Sequence, residues 1–144
     1  MKKIAIFIFI CIFSLSFSQL QKFDKWEEAQ AISKKENKNI LVVFTGSNWC
    51  EPCKRMEEKT FKNPDFINFA NEHLVIFEVD LRAPIRGDSE NYKNYKIYSE
   101  KYNNQQFPVL FLLNKDESIN RKIADGTSHP KSLITKIKNS LKIK

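Results

Sequence analysis

Two cysteines, Cys50 and Cys53, are the residues of this chain best suited to covalent chemistry. They follow the apolar run 40–44 and a short turn, and they precede a run of good helix formers at 55–59. A helix N-terminus carries unpaired N–H groups and the positive end of the helix dipole, and both stabilise an anion. We therefore predict that Cys50 reacts as a thiolate, the form that attacks disulfides. Two intervening residues place Cys53 within one helical turn, near enough to close a small disulfide loop.

The elements that must position these cysteines are a buried strand and a helix. The run 40–44 is apolar without alternation, as in a central parallel strand. The helix is predicted over 50–61, with Cys53, Met56 and Thr60 on one face. That face would bury Cys53 and leave Cys50 exposed at the helix start.

The order Trp-Cys-x-Pro-Cys-Lys at 49–54, between a strand and a helix, resembles the active site of the thioredoxin superfamily. With the segments 56–64 and 107–112, it is most similar to the exported thioredoxin-like domains, which include the C-terminal domain of the membrane reductase DsbD. The resemblance covers about residues 23–143. It implies a thioredoxin-like fold and a thiol–disulfide oxidoreductase that needs no metal or organic cofactor.

The same resemblance implies a role for each site residue. Cys50 would attack a disulfide of a partner protein, and Cys53 would resolve the mixed disulfide. Pro108 would follow a cis peptide bond and face the cysteines, and the backbone of Phe107 would pair with an extended partner segment. The residues implied to shape substrate docking are Trp49, Glu51, Pro52, Phe107 and Pro108.

The chain departs from the thioredoxin pattern at four places. Glu51 replaces a glycine, and a carboxylate beside Cys50 should raise the pKa of its thiol. Because a less favourable thiolate makes the pair a weaker oxidant, we expect the reducing or isomerising direction. Valines at 42 and 43 occupy the strand where thioredoxin buries an acid. The other two departures are the loop 104–106, which lacks the usual apolar residue and glycine, and Val109, which stands where thioredoxin has threonine.

Residues 1–18 read as a secretory signal peptide, and residues 19–144 as one thioredoxin-like domain. Lys2 and Lys3 precede an apolar run that ends in small residues before Gln19. An uncleaved membrane anchor is the alternative, although the run of about 14 residues is shorter than the roughly 20 that span a bilayer. Cleavage would remove Cys11 and lower the net charge from +7 to +5. We expect an exported protein, periplasmic or secreted.

Hydrophobic periodicity predicts an α/β fold with a central mixed four-stranded sheet flanked by helices, plus an N-terminal helix. The predicted strands cover 40–44, 74–79, 107–113 and 118–124, the last ending at Asp125-Gly126. Helices are expected at 24–35, 50–61, from Pro64, at 90–102 and from Pro130. Tyrosines at 92, 95, 98 and 102 lie at near-helical spacing, and we interpret them as a helix face packed on the sheet.

Two other function classes remain open at this point. Cys50 and Cys53 could bind a soft metal such as copper, although the two histidines lie far from them in sequence. The chain could also be a non-catalytic binding module with this fold. The expected partners are protein thiols and disulfides, with a membrane reductase as a candidate electron donor. We expect a monomer and no nucleic-acid binding.

Overall fold

The computed structural model describes residues 19–124 and 129–143. The predicted signal peptide 1–18, with Cys11, and the predicted strand end at Asp125-Gly126 lie outside these residues. Within the described ranges, none of the helices has the length and apolar character needed to cross a bilayer.

Five strands and five α-helices make up the described fold. The strands are β1 (Lys22–Phe23), β2 (Asn39–Thr45), β3 (Leu74–Asp80), β4 (Val109–Leu113) and β5 (Ile119–Ile123). The helices are α1 (Trp26–Glu36), α2 (Glu51–Met56), α3 (Pro64–His73), α4 (Glu90–Lys101) and α5 (Pro130–Leu141). A π-helical segment, Glu57–Phe61, continues α2.

The strands form one mixed sheet in the order β1-β3-β2-β4-β5. β3 pairs in parallel with both β1 and β2, whereas β4 pairs antiparallel with β2 and β5. This topology confirms the predicted α/β thioredoxin-like class. The sheet has one strand more than the four predicted, because the two residues of β1 are too few to produce a periodic pattern. They lie near the start of the described residues, before the predicted N-terminal helix.

Strand β2 is the centre of the molecule because both of its faces are buried. Leu41 and Val43 pack into a core that includes α3 and α5, and Val42 and Phe44 pack into a second core that includes Ala29 of α1. A strand covered on both sides reads as a continuous apolar run, which is why the sequence indicated it clearly. Its carboxyl end leads directly into the cysteine segment.

Two element boundaries differ from the prediction in ways that affect the site. The helix predicted over 50–61 is α-helical only to Met56 and π-helical from Glu57. The strand predicted from Phe107 begins at Val109, because Pro108 has no N–H with which to join the ladder.

Three of the four tyrosines, those at 95, 98 and 102, pack on the sheet as interpreted from the sequence. Tyr95 and Tyr98 are half-buried against the sheet, and Tyr102, just after α4, is buried. The ring of Tyr102 stacks on Phe111 with centroids 5.1 Å apart. Its hydroxyl is the only buried side-chain polar atom, among the described residues, without a hydrogen-bond partner.

The two outer strands of the sheet are a short one and a polar one. β1 is two residues long and half-buried. β5 exposes its first four residues, which include Arg121 and Lys122, and buries only Ile123.

Candidate active site

The turn between β2 and α2 sets the position of the cysteines. The carbonyl oxygen of Gly46 accepts hydrogen bonds from the N–H groups of Trp49, at 3.2 Å, and Cys50, at 2.8 Å. A Cβ atom at Gly46 would lie 2.5 Å from Cε2 of Trp49 and 2.6 Å from its Cζ2. The absence of a side chain at Gly46 therefore allows the indole to lie against the turn.

Cys50 and Cys53 form a disulfide, with their Cα atoms 5.2 Å apart. Cys50 is the N-cap of α2, and its Sγ accepts the N–H of Cys53 at 3.3 Å. The Sγ of Cys53 accepts the N–H of Gly46 at 3.5 Å. Each sulfur thus has a backbone donor that would stabilise it as an anion once the bond is reduced.

Both cysteines are buried in this disulfide form. Cys53 is 2% exposed, as the helical pattern predicted, but Cys50 is only 5% exposed. The expectation that Cys50 is exposed at the helix start is therefore wrong for the oxidised protein. Because Cys50 is covered in the disulfide form, an approaching partner first meets the residues around it.

Trp49 is the most exposed apolar side chain next to the disulfide, at 44%. Its Nε1–H donates to the carbonyl oxygen of Leu81 at 2.5 Å. Its ring meets the Phe107 ring edge-on, with centroids 5.4 Å apart. The Phe107 ring stacks in turn on that of Tyr95, with centroids 5.5 Å apart. The indole is therefore held in one orientation while part of its surface faces solvent.

The structure places Pro108 at the same end of the sheet as the cysteines. The Phe107–Pro108 peptide bond is cis, and Pro108 is buried. Pro108 comes directly before Val109, which pairs with Phe44 near the end of β2. The turn that leads to Cys50 begins two residues after Phe44.

Glu51 and Pro52 occupy the first turn of α2. The Glu51 carboxylate points into solvent with 67% of its side chain exposed, and it lies 3.7 Å from Nζ of Lys54. A pair with this exposure is weak and screened by salt.

A second loop is bound to the cysteine turn, a contact that was not predicted from the sequence. The Asn48 side chain donates to the carbonyl of Ala83 at 2.7 Å and accepts the Ala83 N–H at 2.9 Å. Ser47 donates to the Asp80 carboxylate through its N–H and its hydroxyl, at 2.9 and 2.6 Å. Because β2 and β3 are parallel, their carboxyl ends meet at one edge, and that rule could have indicated these contacts.

Three charged side chains form a cluster beneath the site, hereafter the Lys22 cluster: Lys22, Glu57 and Glu78. The ammonium group of Lys22 donates to Glu57 at 2.5 Å and to Glu78 at 2.9 Å. Burial lowers the pKa of Lys22, but the Glu78 and Glu57 carboxylates outweigh it, so the pKa is raised above its ordinary value. No sequence signal marks this cluster, because its members come from three distant elements.

The Lys22 cluster supplies a carboxylate near the position on β2 where thioredoxin has a buried acid and this chain has none. Val43 occupies that region, and its partner across the parallel ladder is Glu78 of β3. A carboxylate is therefore present one strand to the side, with Lys22 as its counter-ion.

The described residues contain no group of three or more histidine, cysteine or acidic side chains arranged to hold a metal ion. In that part of the chain, Cys50 and Cys53 therefore have no third histidine, cysteine or acidic side chain placed to complete a copper site.

Comparison with known proteins adds to this geometry. A family model for thioredoxin-like domains matches residues 26–139. The disulfide bond reductase DsbH of Chlamydia pneumoniae is 25% identical over 123 residues, which cover 85% of this chain and 74% of that protein. The thioredoxin-related protein DsbJ of the same organism is 28% identical over 93 residues, 64% of this chain but only 26% of that protein.

Solved structures agree with this similarity. A DsbH oxidoreductase structure has a TM-score of 0.76 and 26% identity, and the match covers 88% of this chain and 87% of that one. The oxidised C-terminal domain of DsbD from Neisseria meningitidis has a TM-score of 0.59 and 16% identity, with 79% and 90% covered. At that identity the DsbD comparison shows the fold alone.

Proposed function

The chain belongs to the thioredoxin-like domain family and is a thiol–disulfide oxidoreductase; from this premise we propose that it reduces disulfides of exported proteins. The observation that carries the proposal is the Cys50–Cys53 disulfide at the junction of β2 and α2, with a backbone donor on each sulfur. The similarity to a relative named as a disulfide bond reductase supports the reducing direction.

The two cysteines take different roles in the proposed reaction. In the reduced protein, the Cys50 thiolate attacks one sulfur of the partner's disulfide, and the other partner sulfur leaves as a thiolate that takes up a proton. Cys53 then loses its proton and attacks Cys50 Sγ. This second step forms the Cys50–Cys53 bond and releases the partner's remaining sulfur as a thiol.

The surroundings of the sulfurs support this assignment. Cys50 is adjacent to the half-exposed Trp49, whereas Cys53 is a turn further into α2, with its sulfur bonded to the N–H of Gly46. We assign docking of the partner to Trp49, Glu51, Pro52, Phe107 and Pro108, around the disulfide. The reaction oxidises the pair by two electrons, so a second dithiol must reduce it again, and we propose a membrane reductase as this donor.

Export with removal of residues 1–18 completes the proposal. The basic and apolar pattern of 1–18 supports secretion with cleavage before Gln19. N-terminal sequencing of the exported protein should begin at Gln19, and recovery of chains that still carry residues 1–18 would contradict cleavage.

Substitution of each cysteine tests the proposed roles. With dithiothreitol as donor and a disulfide-bonded protein that precipitates on reduction, Cys50→Ser should lose at least about 100-fold in rate, because the thiolate that attacks the partner disulfide is removed. Cys53→Ser should accumulate a mixed disulfide through Cys50, visible by mass. Full activity of both variants would refute the function.

The reduction potential of the pair tests the direction. Glutathione titration should give a value nearer to about −270 mV, as in thioredoxin, than to about −120 mV, as in the oxidant DsbA. A value of about −120 mV would show that Glu51 does not make the cysteine pair a weak oxidant.

A further inference from the structure

A cleft of about 460 Å³ opens beside Cys53. Cys53 is among its lining residues, and Cys50 is not. Three lining side chains carry a positive charge: Lys22, Lys54 and Arg82. Four carry a carboxylate: Glu57, Glu58, Glu78 and Asp80. The charged side chains that line the cleft together with Cys53 therefore come from three places: β1, the end of β3 with Arg82 after it, and the helical segment after Cys53.

Most of these charges are balanced in separate pairs. Glu58 pairs with Lys62 at 2.5 Å, Asp80 with Arg82 at 2.6 Å, and Lys54 with Glu51 at 3.7 Å. The Lys22 cluster is different, because one ammonium group is shared by two carboxylates. It carries one negative charge in excess.

The cluster is also the least exposed part of this charge set, Asp80 apart. The side chains of the cluster, Lys22, Glu78 and Glu57, are 21%, 18% and 39% exposed, whereas those of Lys54, Glu58 and Arg82 are 45%, 64% and 64% exposed. Charges that are partly out of water act over longer distances than solvated ones. The Lys22 cluster is therefore the group in the cleft most able to influence Cys53.

Strand β1 holds the ammonium group in place. Lys22 pairs in register with Ile76, and Glu78 lies two residues further along β3, on the same face of the sheet. Nζ of Lys22 also lies 5.0 Å from the centre of the Phe61 ring. Contacts to β3 and to the first and last residues of the π-helical segment fix one position for the charge.

We propose that Lys22 is a positioning residue of the redox site, which holds Glu57 and Glu78 at the cleft and sets how readily the Cys53 thiol gives up its proton. The inference rests on the proposed role of Cys53 as the resolving thiol. Without Lys22, two uncompensated carboxylates would face the cleft and oppose a thiolate at Cys53. The N-terminal strand thereby becomes part of the redox apparatus.

The experiment separates the two cysteines in time. In a Cys11→Ser background, Cys50 and Cys53 are the only thiols. The reduced protein is mixed with excess dithiobis-nitrobenzoate, an aromatic disulfide whose thiolate product is coloured. Attack by Cys50 releases one coloured thiolate in a first phase, and attack by Cys53 on the resulting mixed disulfide releases the second. The rate of the second phase is measured against pH.

We expect Lys22→Met to move the pH midpoint of the second phase upward by about half to one unit, because a nearby positive charge is lost. The first phase should change less than about twofold, since Cys50 does not line the cleft. Lys22→Arg should retain the original midpoint. The double variant Lys22→Met with Glu78→Gln restores the charge of the cluster and should return the midpoint toward its original value.

Lys25→Met is the matched control, because Lys25 is 60% exposed and its nearest acid is Glu28 at 3.8 Å. Lys25→Met should change neither the rate of the first phase nor the pH midpoint of the second. An unchanged midpoint in Lys22→Met would overturn the inference. So would a Glu78→Gln variant that slows the second phase at every pH instead of lowering its midpoint, since the carboxylate would then take the proton itself. A parent protein without a second phase would instead refute the proposed function.

Discussion

At the scale of single residues, Gly46 is the position where the cysteine turn has no spare room. An added Cβ would lie within 2.6 Å of two indole carbons of Trp49. We expect Gly46→Ala to displace the indole, weaken its bond to Leu81 and cost about 1–3 kcal/mol of stability, the range for overpacking. Urea denaturation and tryptophan fluorescence measure this.

Gly87→Ala is the control for that substitution. The nearest heavy atom to a Cβ at Gly87 is a Tyr92 ring carbon at 3.9 Å, an ordinary contact distance. We expect its stability and fluorescence to stay close to those of the parent protein. Equal losses in the two alanine variants would show that the Trp49 contact is not the cause.

The buried hydroxyl of Tyr102 is a second residue-scale feature, because it lacks a hydrogen-bond partner. Removal of an unsatisfied buried group relieves a desolvation cost of about 1–3 kcal/mol. We expect Tyr102→Phe to unfold at higher urea concentration than the parent, whereas Tyr92→Phe, on the first turn of α4, should change little. A loss of stability in Tyr102→Phe would indicate that the hydroxyl makes a contact in solution.

The same hydroxyl gives a pH dependence with a definite sign. Burial, with smaller effects from Tyr98 and Glu117, raises the pKa of Tyr102 above its ordinary value near 10. Above about pH 10 the unfolded chain loses this proton and the folded chain keeps it, so folding stability falls as pH rises. The stability advantage of Tyr102→Phe should therefore grow above pH 10 and be constant below pH 9 in urea titrations. An advantage that shrinks with pH would contradict the sign.

At the scale of elements, α3 begins with a side-chain cap. Oδ1 of Asn63 accepts the N–H groups of Asp65 and Phe66, at 3.0 and 3.3 Å, and Pro64 occupies the first turn. We expect Asn63→Ala to cost about 1 kcal/mol, the usual value for a lost cap. Lys25→Ala changes the N-cap of α1, whose side chain makes no capping bond, so it should be nearly neutral in the same urea titration. Equal effects in both variants would contradict the capping role.

The elements that the sequence predicted well are those with a long pattern of one period. The apolar run of β2 and the apolar face of α5 each repeat often enough to identify a strand or a helix. Two features of the fold have no such repeated pattern and were not predicted. Strand β1 has two residues, and the change from α to π geometry at Glu57 leaves the helical pattern of the residues unchanged.

The site shows the same division. Cys50, Cys53 and Trp49 are contiguous with the turn, so local sequence order was enough to group them. Lys22 and Glu78 meet through the β1–β3 ladder, 56 residues apart in the chain. Sequence alone gave no register for that ladder, and the cluster could not be predicted without it.

At the scale of the whole molecule, one core on each face of the sheet holds the fold together, and the disulfide adds little to the free energy of unfolding. The bond joins residues only three apart, so the loop-closure entropy it removes corresponds to no more than about 2 kcal/mol. We expect the reduced protein to remain folded, with a urea midpoint only slightly below that of the oxidised form. The variant Cys50→Ser with Cys53→Ser should match the reduced protein. Unfolding on reduction would show that the bond is a structural staple.

The two outer strands have a consequence for a protein that meets unfolded chains. An open strand edge offers unpaired backbone groups to any extended polypeptide, and short length or basic side chains discourage such pairing. β1 presents only two residues, and β5 presents Arg121 and Lys122 along its outward run. The outer edges of the sheet are thus poor templates for aggregation, so a partner chain can approach the cysteines without being added as a strand to either edge.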